Sequence, residues 1–287
     1  MQFIPQSMQT FDKKFNALQE YFNRRPDVLM AFLFGSRAKG QQKAASDWDI
    51  GVYVKPNTNA TEWEVQRDFP QENELLGDIV KTLGTDNVDM LILNRVPATK
   101  AAAAINGMPI VIKDRKTYLD FLLAVTREAE DFREFTKDYA EIYWRSKSLT
   151  EQDKKRLREW IIFLDAEFKD IEKYKTFTLL DYEQDKAKKR EIERWVENII
   201  NALIDIAKII VASEKQPLPE TYRETIERLG ILSYLTQEDA LHVASFTKLR
   251  NILAHEYLDL RWKEMTAFIS SAQPIVERFI EKVKSVV

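Results

Sequence analysis

The stretch FLFGSRAKGQQKAASDWDIGVYV, residues 32–54, decides how the first half of the chain is read. It continues an apolar run from Val28 to Phe34, the form of a buried strand, which stops at Gly35. Arg37-Ala38-Lys39 then open a helix, so Gly35-Ser36 sits in a strand-to-helix turn. Backbone N–H groups at a helix start, with a serine hydroxyl beside them, make a seat for phosphate oxygens. Ten residues separate Ser36 from Asp47-Trp48-Asp49, which lead into a second strand, Ile50 to Val54. Side chains at i and i+2 of a strand share a face, so Asp47 and Asp49 project together while Trp48 points away. Two crowded carboxylates repel unless a cation lies between them. Oxygen-only ligation of this kind suits Mg²⁺ (or Mn²⁺) bridging to substrate phosphates. Asp89, at the start of a strand from Val88 to Leu93, adds a third carboxylate if that strand neighbours the second.

Outward from this stretch, Phe11, Phe15, Leu18 and Phe22 fall on one helical stripe. Glu72 to Leu83 reads as a helix closed by Gly84, and Pro109 to Ile112 as a fourth strand. Strands alternating with helices predict a small mixed sheet covered by helices, an α/β fold over residues 1–116. Beyond Lys116 the strand signal stops. Tyr118 to Ser146 is one long helical pattern, a tail or linker over 117–149, with the boundary at Lys147 to Thr150. Thr150 with Asp153 resembles a capping box that opens a helix running through Tyr174. Glu191 to Ser213 is the strongest helix, with a wide apolar face and Glu193, Glu197, Asn201, Asp205 and Lys208 largely opposite. Thr221 with Glu224 and Thr236 with Asp239 cap two shorter helices, the first ending at Gly230. Residues 150–287 therefore read as an all-α antiparallel helical bundle.

The 287 residues are 45% apolar and 31% charged, enough for two cores. No run of ~18 uncharged apolar residues offers a membrane span, and the first residues lack the apolar core of a secretory signal. The expectation is a soluble, cytoplasmic protein. The sequence has no cysteine, which excludes disulfide scaffolds, thiolate metal sites and cysteine nucleophiles. Two histidines, His242 and His255, exclude a multi-histidine metal centre. A net charge of −3 gives no global pull toward nucleic acid, so any RNA contact rests on local groups. The basic run Lys186 to Arg190 reads as a solvated helix face, and His242 as a packed or surface histidine.

Taken singly, Asp-x-Asp also fits a solvated strand end and Gly-Ser an ordinary turn. Together, in this order and at this spacing, they resemble the polymerase-β-like nucleotidyltransferases, whose signature is Gly-Ser, ten residues, then Asp-x-Asp. GSRAKG and the compact domain look most like the minimal nucleotidyltransferases, over roughly Phe15 to Ile112. The resemblance implies that Gly35 and Ser36 bind the triphosphate of ATP and that Asp47 and Asp49 hold divalent metals. It implies that Asp89 coordinates metal and activates an acceptor hydroxyl, in an in-line displacement at the α-phosphate. Arg37 and Lys39 either help neutralise phosphate charge or serve only the surface structure.

A second segment, FTKLRNILAHEYLDL, residues 246–260, holds Arg250, His255 and Tyr257. On a regular helix Arg250 and His255 lie about 140° apart. They converge only if the helix ends near Ala254 or if two copies of the chain meet there. A helix end with a capping histidine and a packed tyrosine is the plainer account of the same residues. With IERWVENIINALIDIAKIIVAS and PLPETYRETIERLG ahead of it, the segment looks like the HEPN domain of the HepT toxin family, from roughly Asp153 onward. That resemblance implies a metal-independent ribonuclease with Arg250 and His255 as its active site, usually across a homodimer interface, and Asn251 in support. Histidine titrates near neutral pH and arginine grips phosphate in two places, which is what cleavage without a metal needs.

Minimal nucleotidyltransferases and HepT-like HEPN proteins commonly occur as antitoxin and toxin. In that family the antitoxin transfers AMP from ATP to the tyrosine of Arg-x4-His-x-Tyr, and Tyr257 is the matching residue here. The two resemblances together imply a self-regulating toxin–antitoxin fusion with ATP and RNA as partners, a homodimer through the bundle, and no membrane. Three other readings stay open: an antibiotic or small-molecule nucleotidyltransferase with a helical substrate domain, steric masking of the ribonuclease without transfer, and an inactive nucleotide-binding HEPN scaffold.

Overall fold

The computed structural model describes residues 6–40, 46–58, 60–145, 148–254 and 261–287. They fall into two compact units, Met1–Asp131 and Phe132–Val287, and the division lies inside the 117–149 segment.

In the first unit α1 (Gln6–Arg24) leads into β1 (Val28–Phe34), which is followed at once by the short α2 (Gly35–Ala38). Then come β2 (Trp48–Val54), α3 (Glu72–Leu83), β3 (Val88–Ile92), α4 (Ala98–Ile105), β4 (Met108–Ile112) and α5 (Arg115–Arg145). Among the described residues the sheet has the order β3-β2-β1-β4. β1 is antiparallel to both β2 and β4, while β2 and β3 run parallel. It is the small mixed sheet the sequence predicts. β1 reads as a continuous apolar run because both of its faces are covered. Ala31 and Leu33 join Leu18, Phe22, Ile50, Val52, Leu75 and Ile79 in one core. Met30 and Phe32 join Tyr53, Leu93, Ala101, Ala104, Phe121 and Val125 in the other. Even-numbered residues of β2 thus face the first core, and Asp49 shares its side of the sheet with Tyr53. Gly84 closes α3 in the left-handed conformation, φ +61°, as its position predicts.

The second unit begins within α5, whose Phe132, Phe135, Tyr139 and Ile142 are buried in its core. The capping box at Thr150 and Asp153 opens α6 (Glu151–Glu167). The helix expected to reach Tyr174 is interrupted by a 3₁₀ turn, Phe168–Asp170, before α7 (Ile171–Lys175). Leu157, Ile161, Leu164, Phe168, Ile171 and Tyr174 are all buried, so the apolar face runs on across the break. A 3₁₀ turn keeps neighbours at i and i+3, and periodicity alone cannot tell it from an α-helix. A second capping box, Thr178 with Asp181, opens α8 (Leu179–Gln184). The central α9 spans Lys186–Ser213 and is capped by Asp185, whose side chain accepts from the Ala187 and Lys188 N–H groups. It starts five residues before Glu191, so the basic run forms its first turns. α10 (Tyr222–Ile231) and α11 (Gln237–Ser245) carry the Thr221 and Thr236 caps read from the sequence. α12 (Thr247–Ala254) and α13 (Arg261–Lys284) complete the helical region. The polar stripe of α9 is not simply solvated: Lys208 is buried, 6% exposed, and pairs with Asp205 and with Asp138 of α5 at 2.6 and 2.7 Å.

Candidate functional site

Asp49, the second residue of β2, has Phe34 as its register partner on β1 and Asp89 as its partner on β3. Partners across parallel strands lie about 4.8 Å apart with side chains on one face. The condition set by the sequence for Asp89 is therefore met: its strand is the neighbour of β2. Asp47 sits one residue ahead of the strand, exposed. Trp48 between the two carboxylates is buried at 2% exposure and stacks on Phe11 at 5.7 Å. Partial burial raises the Asp49 pKa above the ordinary carboxylate value, and the charges of Asp89 and Asp47 raise it further, against an opposing pull from Arg37. Both neighbouring carboxylates thus act on Asp49.

The Gly-Ser turn lies directly against this group. Gly35 has φ +69°, and a Cβ built on it would stand 1.9 Å from Oδ2 of Asp49. A side chain at this position is barred by the backbone and by the carboxylate alike. Ser36 follows in α2, half-buried. Arg37 is engaged inward: its Nε donates to the Asp47 carbonyl oxygen at 2.9 Å, and its Nη2 to that of Ser46. Its guanidinium lies 4.8 Å from the Trp48 ring centre. It ties α2 to the chain leading into β2. Lys39 ends α2 exposed to solvent. Of the two cations weighed for phosphate, one is built into the loop and the other faces water.

Among the described residues no group of three or more His, Cys, Asp or Glu side chains is arranged as a ready metal cage. Mg²⁺ does not require one, since it is commonly held through one or two carboxylates plus substrate phosphates and water. Hard oxygen donors in register, with Asp49 destabilised as an anion by Asp89 and Asp47, fit such a cation.

In the second unit Arg250 lies on α12, half-buried. Its Nε donates to Oδ1 of Asn201 on α9 at 2.6 Å, and its guanidinium carbon stands 4.7 Å from the ring centre of Tyr222, the first residue of α10. Neither Asn201 nor Tyr222 carries a motif that would have marked it. Asn201 stood among the polar residues of α9, where the helical pattern gives no sign of a partner. Asn251 lies on α12. His255 and Tyr257 lie outside the described residues. His242 is exposed, bonded to the Ser271 hydroxyl at 2.8 Å and set edge-on to Phe246, as a packed surface histidine should be.

Comparison with known families gives two matches. Residues 16–116 match the model of the polymerase beta nucleotidyltransferases, and residues 164–283 match the model of the HepT-like ribonucleases. No curated protein matches the chain. No helix among the described residues is long and apolar enough to cross a membrane.

Proposed function

Since the chain carries a polymerase-β nucleotidyltransferase domain followed by a HepT-like ribonuclease domain, we propose that it is a self-regulating toxin–antitoxin fusion. In this reading the first site transfers AMP from ATP to Tyr257, in cis or in trans, and the modification silences a metal-independent ribonuclease in the second half. The observation that carries the transfer is the register of Asp49 with Asp89, closed from one side by Gly35.

Asp49 and Asp89, with Asp47, would hold Mg²⁺ or Mn²⁺, and the bound cation would neutralise the triphosphate oxygens at the reacting phosphorus. Ser36 and the N–H groups that follow Gly35 take phosphate oxygens, while Arg37 keeps the chain before β2 in place. A tyrosine hydroxyl has a pKa near 10, so it must give up its proton as it attacks, and Asp89 is the base. The bond from the Tyr257 oxygen to the α-phosphorus forms as the bond to the bridging oxygen breaks, and pyrophosphate leaves. In the ribonuclease, His255 moves the proton and Arg250 faces the phosphate oxygens. An adenylate two residues from His255 blocks that site by volume, and its phosphodiester competes with RNA for Arg250. The reading places the protein in the cytoplasm, as a homodimer through its second half.

The test is mass spectrometry of intact protein and of its peptides after incubation with ATP and Mg²⁺. One AMP should appear on the peptide containing Tyr257 and be absent from Tyr257→Phe and Asp49→Asn. RNA cleavage by unmodified protein should survive EDTA and disappear in Arg250→Ala and His255→Ala. Transfer unchanged in Tyr257→Phe overturns the self-modification and points to a small-molecule acceptor. Cleavage that needs Mg²⁺, or that survives both substitutions, overturns the ribonuclease.

A further inference from the structure

Three helices of the second unit converge on one guanidinium, and we propose that Asn201 and Tyr222 are positioning residues that aim Arg250 at an RNA phosphate. The proposal rests on the ribonuclease reading and extends it to two residues outside the Arg-x4-His-x-Tyr motif. An arginine side chain is long and rich in rotamers, and two-point recognition of phosphate depends on the orientation of its planar fork. Two of its contacts bear on that plane. The Nε bond to Asn201 at 2.6 Å sets the direction of one edge, and the Tyr222 ring at 4.7 Å supports a face. Tyr222 is itself held in place. Phe132 and Phe135 meet its ring nearly perpendicular, at 5.1 and 5.2 Å, and Thr221 caps the helix it begins.

The chemical type of the acceptor matters. An amide oxygen and an aromatic face hold a guanidinium without adding a negative charge, so the contact does not compete with an incoming phosphate. Farther along the same stripe of α9 the chain does the opposite. There Asp205 and Asp138 are carboxylates, and with Lys208 and Arg156 they form a cluster of paired charges at 2.6 to 2.9 Å. Burial acts to raise the Asp138 pKa, but the hydrogen bonds and charges of Arg156 and Lys208 outweigh it and bring it down to about 2. In that charge cluster α9 supplies a carboxylate, Asp205, and at Arg250 it supplies an asparagine.

Asn201→Asp separates positioning from mere support, because it keeps the acceptor oxygen and adds the charge. On full-length protein shown by intact mass to be unmodified, three quantities are read: kcat and KM for a fluorogenic oligoribonucleotide, anisotropy of a 2′-O-methyl oligoribonucleotide against salt, and the thermal midpoint. In Asn201→Asp the midpoint should hold or rise while KM rises at least tenfold. The slope of log affinity against log salt should become shallower by about 0.7, the loss of one phosphate contact on a single strand. Tyr222→Leu, which removes the ring, should raise KM with little change in kcat. An Asn201→Asp protein with the parent KM and salt slope, beside an inactive Arg250→Ala, overturns the positioning role and leaves the ribonuclease standing. A parent that neither binds nor cleaves RNA, or an Arg250→Ala variant equal to the parent, removes the ribonuclease and this proposal with it.

Discussion

Gly35→Ala is the sharpest probe of the transfer site, because the structure supplies its own control. Gly35 and Gly84 both have positive φ, +69° and +61°. An alanine at either position incurs a left-handed penalty, about 1–2 kcal/mol. They differ in what the new methyl group meets. At Gly84 nothing among the described residues lies within 4 Å, whereas at Gly35 the methyl would stand 1.9 Å from Oδ2 and 2.8 Å from Cγ of Asp49. Ordinary contact begins near 3.4 Å, so the carboxylate has to withdraw by about 1.5 Å. A side-chain end swings away at small energetic cost. The stability losses of the two variants should therefore be alike, a drop of several degrees in thermal midpoint. Catalysis should separate them, since misplacement by about 1 Å costs on the order of 100-fold. Incorporation of AMP, followed by intact mass, should fall at least that far in Gly35→Ala and hold near the parent rate in Gly84→Ala. The thermal shift given by ATP with Mg²⁺ should shrink in the first variant alone. Equal transfer by the two variants would show that Asp49 is not placed by its contact with Gly35.

Two further outcomes follow from the charge environment. Asp49→Asn removes a carboxylate whose pKa is raised by burial and by Asp89 and Asp47; a raised carboxylate costs stability above its ordinary titration range, so at pH 7 the variant should melt at or above the parent while AMP transfer is lost, and a lower midpoint would contradict the repulsion. Glu64 is pushed up from 4.5 to about 7 by burial, although it accepts the Ala98 N–H at 2.8 Å. The folded chain therefore holds a proton there that the unfolded chain has released, and stability should fall as pH rises from about 4.5 to about 7. At ~1.4 kcal/mol per pH unit the ceiling is about 3 kcal/mol; Glu64→Gln keeps the acceptor oxygen, so thermal melts at pH 5 and pH 8 should show it more stable than the parent at pH 8 only, and parallel curves would refute this.

What the sequence discloses depends on how local the cause is. β1, the turn at Gly35, the Gly84 stop and the caps at Thr150, Thr221 and Thr236 are set within a few residues, and the structure has them where the pattern places them. α4, ATKAAAAI, has no sequence signature, because alanine suits either face of a helix and eight residues offer barely two turns of periodicity. α8 is shorter still, six residues behind a cap with little apolar pattern after it. In the transfer site, Asp47 and Asp49 are legible from strand alternation, but Asp89 needed the pairing of β3 with β2, which is set by the sheet. The acceptors of Arg37 are backbone carbonyls, and every residue has one, so no residue type could announce them. Asn201 lies 49 positions from Arg250; the helical pattern put it on the polar face, and polarity does not distinguish a solvated side chain from one that meets another helix.

Arg37 and Arg250 both invite the same reading, a cation in a phosphate-handling motif, and what holds each guanidinium tells them apart. Arg37 is fixed by two carbonyl dipoles on the chain leading into β2 and by the face of Trp48. Its charge lowers the Asp49 pKa against the combined push of burial, Asp89 and Asp47. It therefore acts on Asp49 through its charge, favouring the ionised carboxylate, while its hydrogen bonds hold the backbone at Ser46 and Asp47. Two of the contacts of Arg250, an amide oxygen and a ring, orient it without adding charge. One arginine is committed to the chain ahead of β2, and the other reaches from α12 to α9. The same residue type in the two motifs thus meets backbone carbonyls in one and a side-chain amide in the other.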